Sequence, residues 1–194
     1  MKKTFLLLAG VLSIATTAVR AENTGDENGK YNRIYVGYAP SKFITTYKGD
    51  KNKSDAWHGF DIGWTHGINV CKQERPLFLE FGANMTWDFC PGKASEGGDY
   101  WLVDFDVPVL VTYRYRIGES NVRISPYFGV HFKVDLPTDD TRNIFRFGLQ
   151  MGANVEFKKF FLGAGWDRDV TPIKNKNKVK TTTGGPRINL GLTF

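Results

Sequence analysis

Cysteine, histidine and long apolar segments are scarce in this 194-residue sequence. It has two cysteines and three histidines, and no His, Cys or Asp spacing in it matches a metal site. It also contains no phosphate-binding loop and no nucleophile elbow. Beyond the N-terminus, no run approaches the roughly 20 apolar residues that a membrane-spanning helix needs. These absences exclude a helical membrane protein and leave the sequence without a recognised catalytic motif.

The two cysteines, Cys71 and Cys90, stand on either side of a predicted strand. An even number of cysteines in an exported chain would allow a disulfide. Because an extended strand advances about 3.3 Å per residue, these two thiols are expected to lie too far apart to bond. We therefore predict two unpaired cysteines.

The N-terminus has the pattern of an export signal. Lys2 and Lys3 precede an apolar segment, Phe5–Ala18, and small residues around Arg20 favour cleavage after Ala21. A signal anchor is the alternative. Cleavage would remove three cations and lower the formal net charge from +6 to +3, a balance too mild to indicate nucleic-acid binding. The expected divisions are a signal peptide (1–21), a flexible leader (22–30) and one domain (31–194).

Alternation of apolar and polar side chains dominates the domain and is typical of β-strands. The last stretch shows it without a fault, with one set of side chains on each face: Ile188, Leu190, Leu192 and Phe194 against Arg187, Asn189, Gly191 and Thr193. No helical periodicity interrupts the pattern. Eight strands are predicted, at about 31–39, 59–68, 77–89, 101–117, 122–135, 145–157, 160–169 and 187–194.

The connections between these strands alternate between long and short. Pro40–Ala56 and Thr171–Gly184 are long polar loops, whereas Gly118–Asn121 and Lys158–Lys159 are tight turns. A terminal strand left unpaired invites aggregation, so we expect the last strand to pair with the first. The sequence therefore predicts an all-β, eight-stranded antiparallel up-and-down barrel.

Two segments carry a family resemblance. Residues 103–115, VDFDVPVLVTYRY, followed by SPYFGV at 125–130, resemble the paired signature of the PorT-like outer-membrane β-barrel family. The final strand, ending in Phe194, is similar to the last strand of bacterial outer-membrane barrels, including the eight-stranded OmpA/OmpX-like type. The resemblance implies a transmembrane barrel in the cell outer membrane. Pro108 removes one hydrogen bond from its strand, and a bulge is expected there.

Alternation alone does not say which face of the barrel is inside. A soluble, lipocalin-like barrel would enclose its apolar face, and a membrane barrel would expose it to lipid. The polar faces here are rich in glycine, which suits a narrow interior. The apolar faces carry aromatic residues expected at the membrane interfaces: Trp64, Trp87, Trp101, Tyr113, Tyr115, Trp166 and Phe194. These features favour the membrane barrel.

The interior of an eight-stranded barrel is filled by side chains, so charges on the polar faces must pair with one another. The predicted lumen ion pairs involve Asp61, Glu80, Asp104, Asp106, Arg114, Arg116, Arg123, Lys133, Arg146 and Arg187, together with Glu156 and Asp167. A two-residue turn at Glu119–Ser120 predicts that Asp106 lies directly opposite Lys133.

The predicted partners are outer-membrane lipid and lipopolysaccharide. Four lysines in the loop 171–184 alternate with other residues and are expected to contact lipid phosphates, although a solvated loop is the alternative: Lys174, Lys176, Lys178 and Lys180. The loops 40–56 and 171–185 could also present a surface to an extracellular partner. We expect a monomer without a cofactor.

The predicted function is non-enzymatic, in envelope structure or in loop-mediated interaction. A component of a secretion apparatus is one alternative, implied by the PorT-like resemblance. A lipid A-modifying enzyme is another. A deacylase would need Ser, His and an acid together, but no serine is placed beside His58 or His131 by the sequence. We predict no catalytic residue and no metal ligand.

Overall fold

The computed structural model describes residues 29–47, 50–53, 57–71, 76–90, 100–136, 145–172, 174–176 and 179–194. The predicted signal peptide and most of the predicted leader lie outside these residues. The described part of the chain contains no helix with the length and hydropathy needed to cross a membrane.

Eight long antiparallel strands close into a barrel. They are β1 (Lys30–Tyr38), β2 (His58–Asn69), β3 (Leu77–Cys90), β4 (Tyr100–Tyr113), β5 (Val122–Leu136), β6 (Phe145–Phe157), β7 (Phe160–Asp169) and β8 (Val179–Thr193). Each strand pairs with the next along the chain, and β8 pairs back with β1. In that closing pair Arg33 stands opposite Thr193 and Tyr38 opposite Ile188. The predicted barrel and its closure are confirmed.

The two tight turns lie at one end of the barrel, which we call the short-turn end. Phe157 and Phe160 face each other across Lys158 and Lys159, with Lys158 at a φ of 56°. After β4 a two-residue strand, Tyr115–Arg116, continues the pairing with β5 up to the other turn. The opposite end, where the longer connections begin, is the long-loop end.

Two segments predicted as loops contain strands instead. Lys42–Tyr47 and Asp50–Lys53 form a hairpin, and Lys174–Lys176 pairs with the start of β8. Lys42–Tyr47 also pairs with residues 179–184 of β8, so the four segments form one sheet beyond the barrel, here called the extension sheet. Aromatic and β-branched residues such as Phe43, Ile44 and Thr182 favour this extended conformation. Their many lysine neighbours made the same segments look like solvated loops.

Pro108 is accommodated without the predicted bulge. The β3–β4 register is the same on both sides of it, from Leu77 opposite Tyr113 to Cys90 opposite Tyr100. The ladder simply lacks the pairs at Val107 and Pro108. On the other side Pro108 stands opposite His131 in an uninterrupted β4–β5 ladder. A local gap in one ladder is therefore enough to place a residue that has no N–H.

The apolar face of each strand points away from the barrel and the polar face points into it. Phe128, Leu162 and Leu190 are more than half exposed, at 54%, 57% and 57%. Arg187, next to Ile188 in sequence, is only 2% exposed. Interior glycines make room for the larger lumen side chains, since a Cβ at Gly63 would lie 2.4 Å from the Tyr35 ring. This is the arrangement of a membrane barrel and the reverse of a soluble one.

Cys71, just beyond β2 at the short-turn end, is a free cysteine, as predicted. Cys90 ends β3 at the long-loop end of the barrel. The strand between the two positions keeps their backbones at opposite ends.

Candidate functional site

The lumen at the short-turn end holds a compact group of polar side chains, the short-turn cluster: Tyr31, Arg33, Glu80, Arg114, Ser125 and Glu156. Glu156 accepts hydrogen bonds from Arg33 Nη2 at 2.5 Å, from Arg114 Nη2 at 2.5 Å and from Ser125 Oγ at 2.6 Å. Arg33 Nη1 also donates to Glu80 at 2.8 Å, and Tyr31 donates to the same carboxylate. Two arginines therefore face two glutamates.

Both guanidinium groups of this cluster lie close to one aromatic ring. Arg114 Cζ lies 4.0 Å and Arg33 Cζ 4.7 Å from the centre of the Tyr31 ring, within the range of cation–π attraction. Tyr31 also packs edge-on against Phe78, with ring centres 5.0 Å apart. The cluster is thus held by stacking as well as by charge.

A less charged layer fills the middle of the barrel. It encloses a cavity of about 30 Å³ whose lining includes Tyr35, Leu110, Tyr127, Gln150, Asn154, Phe161 and Asn189. Tyr35 and Phe161 contact each other edge-on, with ring centres 6.3 Å apart. A space of that size holds only a water molecule or so.

The lumen at the long-loop end holds the long-loop cluster: Asp61, Asp88, Asp104, Asp106, His131, Lys133, Asp135, Arg146, Asp167, Asp169 and Arg187. All eleven side chains are buried. They occupy alternate positions near the long-loop ends of β2 to β8, so the period of two turns each of them inward. Every barrel strand except β1 contributes to this cluster.

Arg146 is the centre of the long-loop cluster. Its Nε donates to Asp135 at 2.8 Å, its Nη2 lies 2.7 Å from Asp104, and its Nη1 donates to Asp169. Asp104 and Asp135 stand directly opposite each other in the β4–β5 register, where two like charges repel. Arg146 on the neighbouring strand relieves that repulsion by contacting both.

The predicted register between β4 and β5 is present, but its ion pair is different. Asp106 stands opposite Lys133, whereas Lys133 Nζ lies 2.6 Å from Asp167 on β7. Arg187 approaches Asp61 at 3.4 Å and Asp106 at 3.8 Å. Lys133 thus reaches across the lumen in preference to its neighbour on the adjacent strand.

The remaining predicted lumen charges divide into two groups. Glu80, Arg114, Glu156 and Asp167 lie inside and make the contacts given above. The prediction that Arg116 lies in the lumen is wrong. Arg116 is exposed at the short-turn end, opposite Arg123, which is half-buried. The alternation of side chains continues beyond the filled part of the lumen. The sequence pattern therefore assigned Arg116 to the lumen, although the residue lies past its end. The lumen also contains charges that the prediction omitted, although their alternation points inward: Arg33, Asp88, Asp135 and Asp169.

The predicted interfacial aromatics lie mostly near the ends of strands. Trp87 and Trp166 are three residues from the long-loop ends of β3 and β7, and Tyr113 and Tyr115 are at the short-turn end. Phe194 is also at the short-turn end, where it exchanges backbone hydrogen bonds with Asn32. Trp64 lies in the middle of β2 rather than near an end, and its place at a membrane interface stays a prediction. Trp101 pairs with Phe89 near the long-loop end, and its side chain lies outside the described residues.

The predicted lysine series divides across the extension sheet. Lys180 is exposed, and its position alternates with Thr181 and Val179, which pair with Lys174 and Lys176. The register therefore places Lys180 on the face opposite to that of Lys174 and Lys176. Lys178 lies outside the described residues.

A different set of lysines shares a face with Lys180. Lys180 pairs with Thr46, Thr46 pairs with Lys51, Ile44 pairs with Lys53, and Lys42 pairs with Gly184. Paired residues of an antiparallel sheet lie on one face, as do residues two apart. Lys42, Lys51, Lys53 and Lys180 thus form one exposed surface, the cationic face, with no acidic residue among the described residues on that side. Along β8 it continues into the apolar outward face through Pro186 and Ile188.

The described serines and histidines do not form a catalytic arrangement. Ser41 donates to Asp88 at 3.3 Å, Ser120 to the Ile117 carbonyl at 2.6 Å, and Ser125 to Glu156. His58 contacts Tyr38, and His66 contacts Asn32. In this part of the chain no serine hydrogen bonds to a histidine.

No protein family and no curated protein matches the chain. Solved structures resemble it in fold. Neisserial surface protein A aligns with 85% of this chain and 96% of its own, with a TM-score of 0.55 and 14% identity. The outer membrane protein OprG from Pseudomonas aeruginosa aligns with 86% of this chain and 96% of its own, with a TM-score of 0.50 and 12% identity. The outer membrane enzyme PagL covers 80% of this chain and 97% of its own, with a TM-score of 0.50 and 12% identity.

At these identities the comparisons show the fold alone. The chain has the fold of the eight-stranded outer-membrane β-barrels, and the predicted fold class is confirmed. The PorT-like resemblance stays a prediction.

Proposed function

We propose that this chain is a non-enzymatic integral protein of the cell outer membrane, exported by a cleaved signal peptide. Its lumen is filled by side chains, and it serves envelope structure and interaction at its long-loop end. The observation that supports this most is that the apolar side chains face outward and the charged side chains face the lumen. The outward face is apolar from β1 to β8, and fourteen charged side chains, as well as His131, are buried inside it.

The arrangement of the lumen supports a structural role in preference to conduction. Ion pairs cross the lumen at both ends, including Arg33–Glu156 and Lys133–Asp167. Between and beside them lie cavities of about 30 and 20 Å³. A pore for solutes would need a continuous polar path, and these side chains divide the interior into separate spaces.

The mature chain is therefore expected to fractionate with the outer membrane and to conduct no ions across it. Folded barrel should migrate faster than heated barrel on a detergent gel, and planar bilayers containing it should show no stepwise conductance. A bilayer without protein and a bilayer containing a large porin serve as the two reference samples. Recovery in the soluble periplasm, or regular single-channel steps, would contradict the proposed function.

The cationic face supports a partner for this barrel at the membrane surface. It continues from the lipid-facing side of β8, so Lys42, Lys51, Lys53 and Lys180 lie on the side from which outer-leaflet headgroups would approach the extension sheet. Each cation near an anionic membrane surface contributes about 1 kcal/mol. We propose that these four lysines contact the phosphates of lipopolysaccharide.

Reversing two of these charges should weaken that contact. A Lys42→Glu and Lys180→Glu double variant is expected to bind lipopolysaccharide at least about tenfold more weakly, because two attractions of about 1 kcal/mol are lost. Binding can be measured on the detergent-folded protein by titration with lipopolysaccharide and with its dephosphorylated form. The matched control is Lys30→Glu with Lys158→Glu, two exposed lysines at the short-turn end. Equal binding of both lipid forms by the wild type would refute phosphate recognition.

A further inference from the structure

The long-loop cluster contains many more carboxylates than cations. Seven buried aspartates lie there with three basic side chains, Lys133, Arg146 and Arg187. The short-turn cluster, in contrast, balances two glutamates with two arginines. Buried charges that lack a partner cost several kcal/mol each, so the excess of carboxylates at one end requires compensation. Even a protonated His131 would supply only one more positive charge.

Several buried atoms in the cluster have no hydrogen-bond partner within the protein. They include both ring nitrogens of His131, both carboxylate oxygens of Asp106 and Oδ1 of Asp169. His131 is fully buried, with Nε2 3.3 Å from Asp169 Oδ1 and Nδ1 3.9 Å from Asp106 Oδ2. An imidazole without partners, turned toward several carboxylates, is an arrangement that a cation would satisfy.

The geometry around His131 is that of a small ligand set. One donor atom each from His131, Asp167 and Asp169 lies within 4.8 Å of the others. Ligands of a single Zn²⁺, each about 2 Å from the ion, are about 3–4 Å apart, so small side-chain movements would close the set. Gly148 stands opposite His131 and leaves room for its ring, since a Cβ there would be 1.8 Å from Nε2.

The three residues come from two strands in a simple pattern. Asp167 and Asp169 are two apart on β7, so both point inward, and His131 reaches them from β5 across Gly148 of β6. Sequence spacing could not show this group, because its members meet only once the barrel has closed. Imidazole with two carboxylates suits Zn²⁺ or Mn²⁺ better than the all-oxygen sets preferred by Ca²⁺.

We propose that the long-loop cluster binds one divalent transition-metal ion through His131, Asp167 and Asp169. Lys133 Nζ, 2.6 Å from Asp167 and 3.8 Å from Asp169, competes for the same carboxylates. The metal displaces that ammonium group, and Asp106, opposite Lys133 in the register and without hydrogen-bond partners, receives it. A cavity of about 20 Å³ beside Lys133 and Asp167 is also lined by Ser41 and Asp88, toward the long-loop end.

The test uses the mature chain folded in detergent, stripped with a chelator and titrated with Zn²⁺ or Mn²⁺ alone. One equivalent should bind per chain, and Co²⁺ should give the visible absorption of a site with nitrogen and oxygen ligands. His131→Gln should weaken binding by more than about 100-fold, since changes outside the ligand set itself already cost 10–100-fold. Glu80→Gln removes a buried carboxylate from the short-turn cluster and should leave metal affinity unchanged.

Lys133→Met is expected to change the metal affinity in the opposite direction. If the lysine competes with the metal, this variant should bind Zn²⁺ more tightly than the wild type does. A merely structural Lys133 would give unchanged or weaker binding, and either result would count against the proposed ligands. Absence of stoichiometric binding to the folded wild type would overturn the proposal without any variant. So would equal affinity in the wild type and His131→Gln.

Discussion

Replacing Arg146 by methionine is expected to lower the free energy of unfolding by about 3–5 kcal/mol, the usual cost of leaving a buried charge without its partner. The guanidinium group contacts Asp104 at 2.7 Å and Asp135 at 2.8 Å, and it also donates to Asp169 and, at 2.8 Å, to Thr183. Methionine has a similar length but no donor, so three carboxylates lose their common partner. Urea unfolding of the barrel in lipid vesicles, followed by gel mobility, measures the loss.

Two further variants separate this effect from general damage. Arg116→Met removes the same group at an exposed position and should change stability by no more than about 0.5 kcal/mol. Adding Asp135→Asn to Arg146→Met should restore part of the stability, because it removes one of the carboxylates left without a partner. If Arg146→Met alone costs less than about 1 kcal/mol, the long-loop cluster is not held by its arginine.

Much of the fold could be predicted because a barrel of this kind repeats one simple constraint. Each strand separates lipid from a packed interior, so the period of two persists wherever the barrel continues. Arg187 to Phe194 show it in eight residues, and the pairing of β8 with β1 follows from the need to leave no edge. The tight turn after β4 then placed Asp106 opposite Lys133.

The partners inside the lumen could not be predicted in the same way. Alternation says that a side chain points inward, but not at what depth or toward which distant strand. Lys133 is opposite Asp106 yet contacts Asp167, because a long side chain can cross a narrow lumen. Glu156 on β6 similarly meets Arg33 of β1, 123 positions away in the sequence. Such contacts depend on the tilt and closure of the whole barrel.

The extension sheet shows a second limit of sequence reasoning. Its segments are rich in lysine, and by composition alone they resembled solvated loops. They form strands instead, because Lys42–Tyr47 pairs with the first residues of β8. The same pairing replaces the predicted series of alternating lysines by the cationic face, of which Lys180 is the only member the sequence had indicated. Neighbours in sequence lie on opposite faces of that sheet, and residues more than 100 positions apart share one.

Replacing Met151 by arginine is expected to destabilise the barrel by about 2–4 kcal/mol, the cost of a cation at the middle of a bilayer. Met151 is the middle residue of β6 and points outward, with 49% of its surface exposed. On a soluble barrel the same position would contact water, and the change would stay within about 0.5 kcal/mol. Tyr115→Arg, an exposed position at the short-turn end, should cost only about 0–1 kcal/mol. Equal costs at the two positions in vesicles would show that β6 does not cross the lipid.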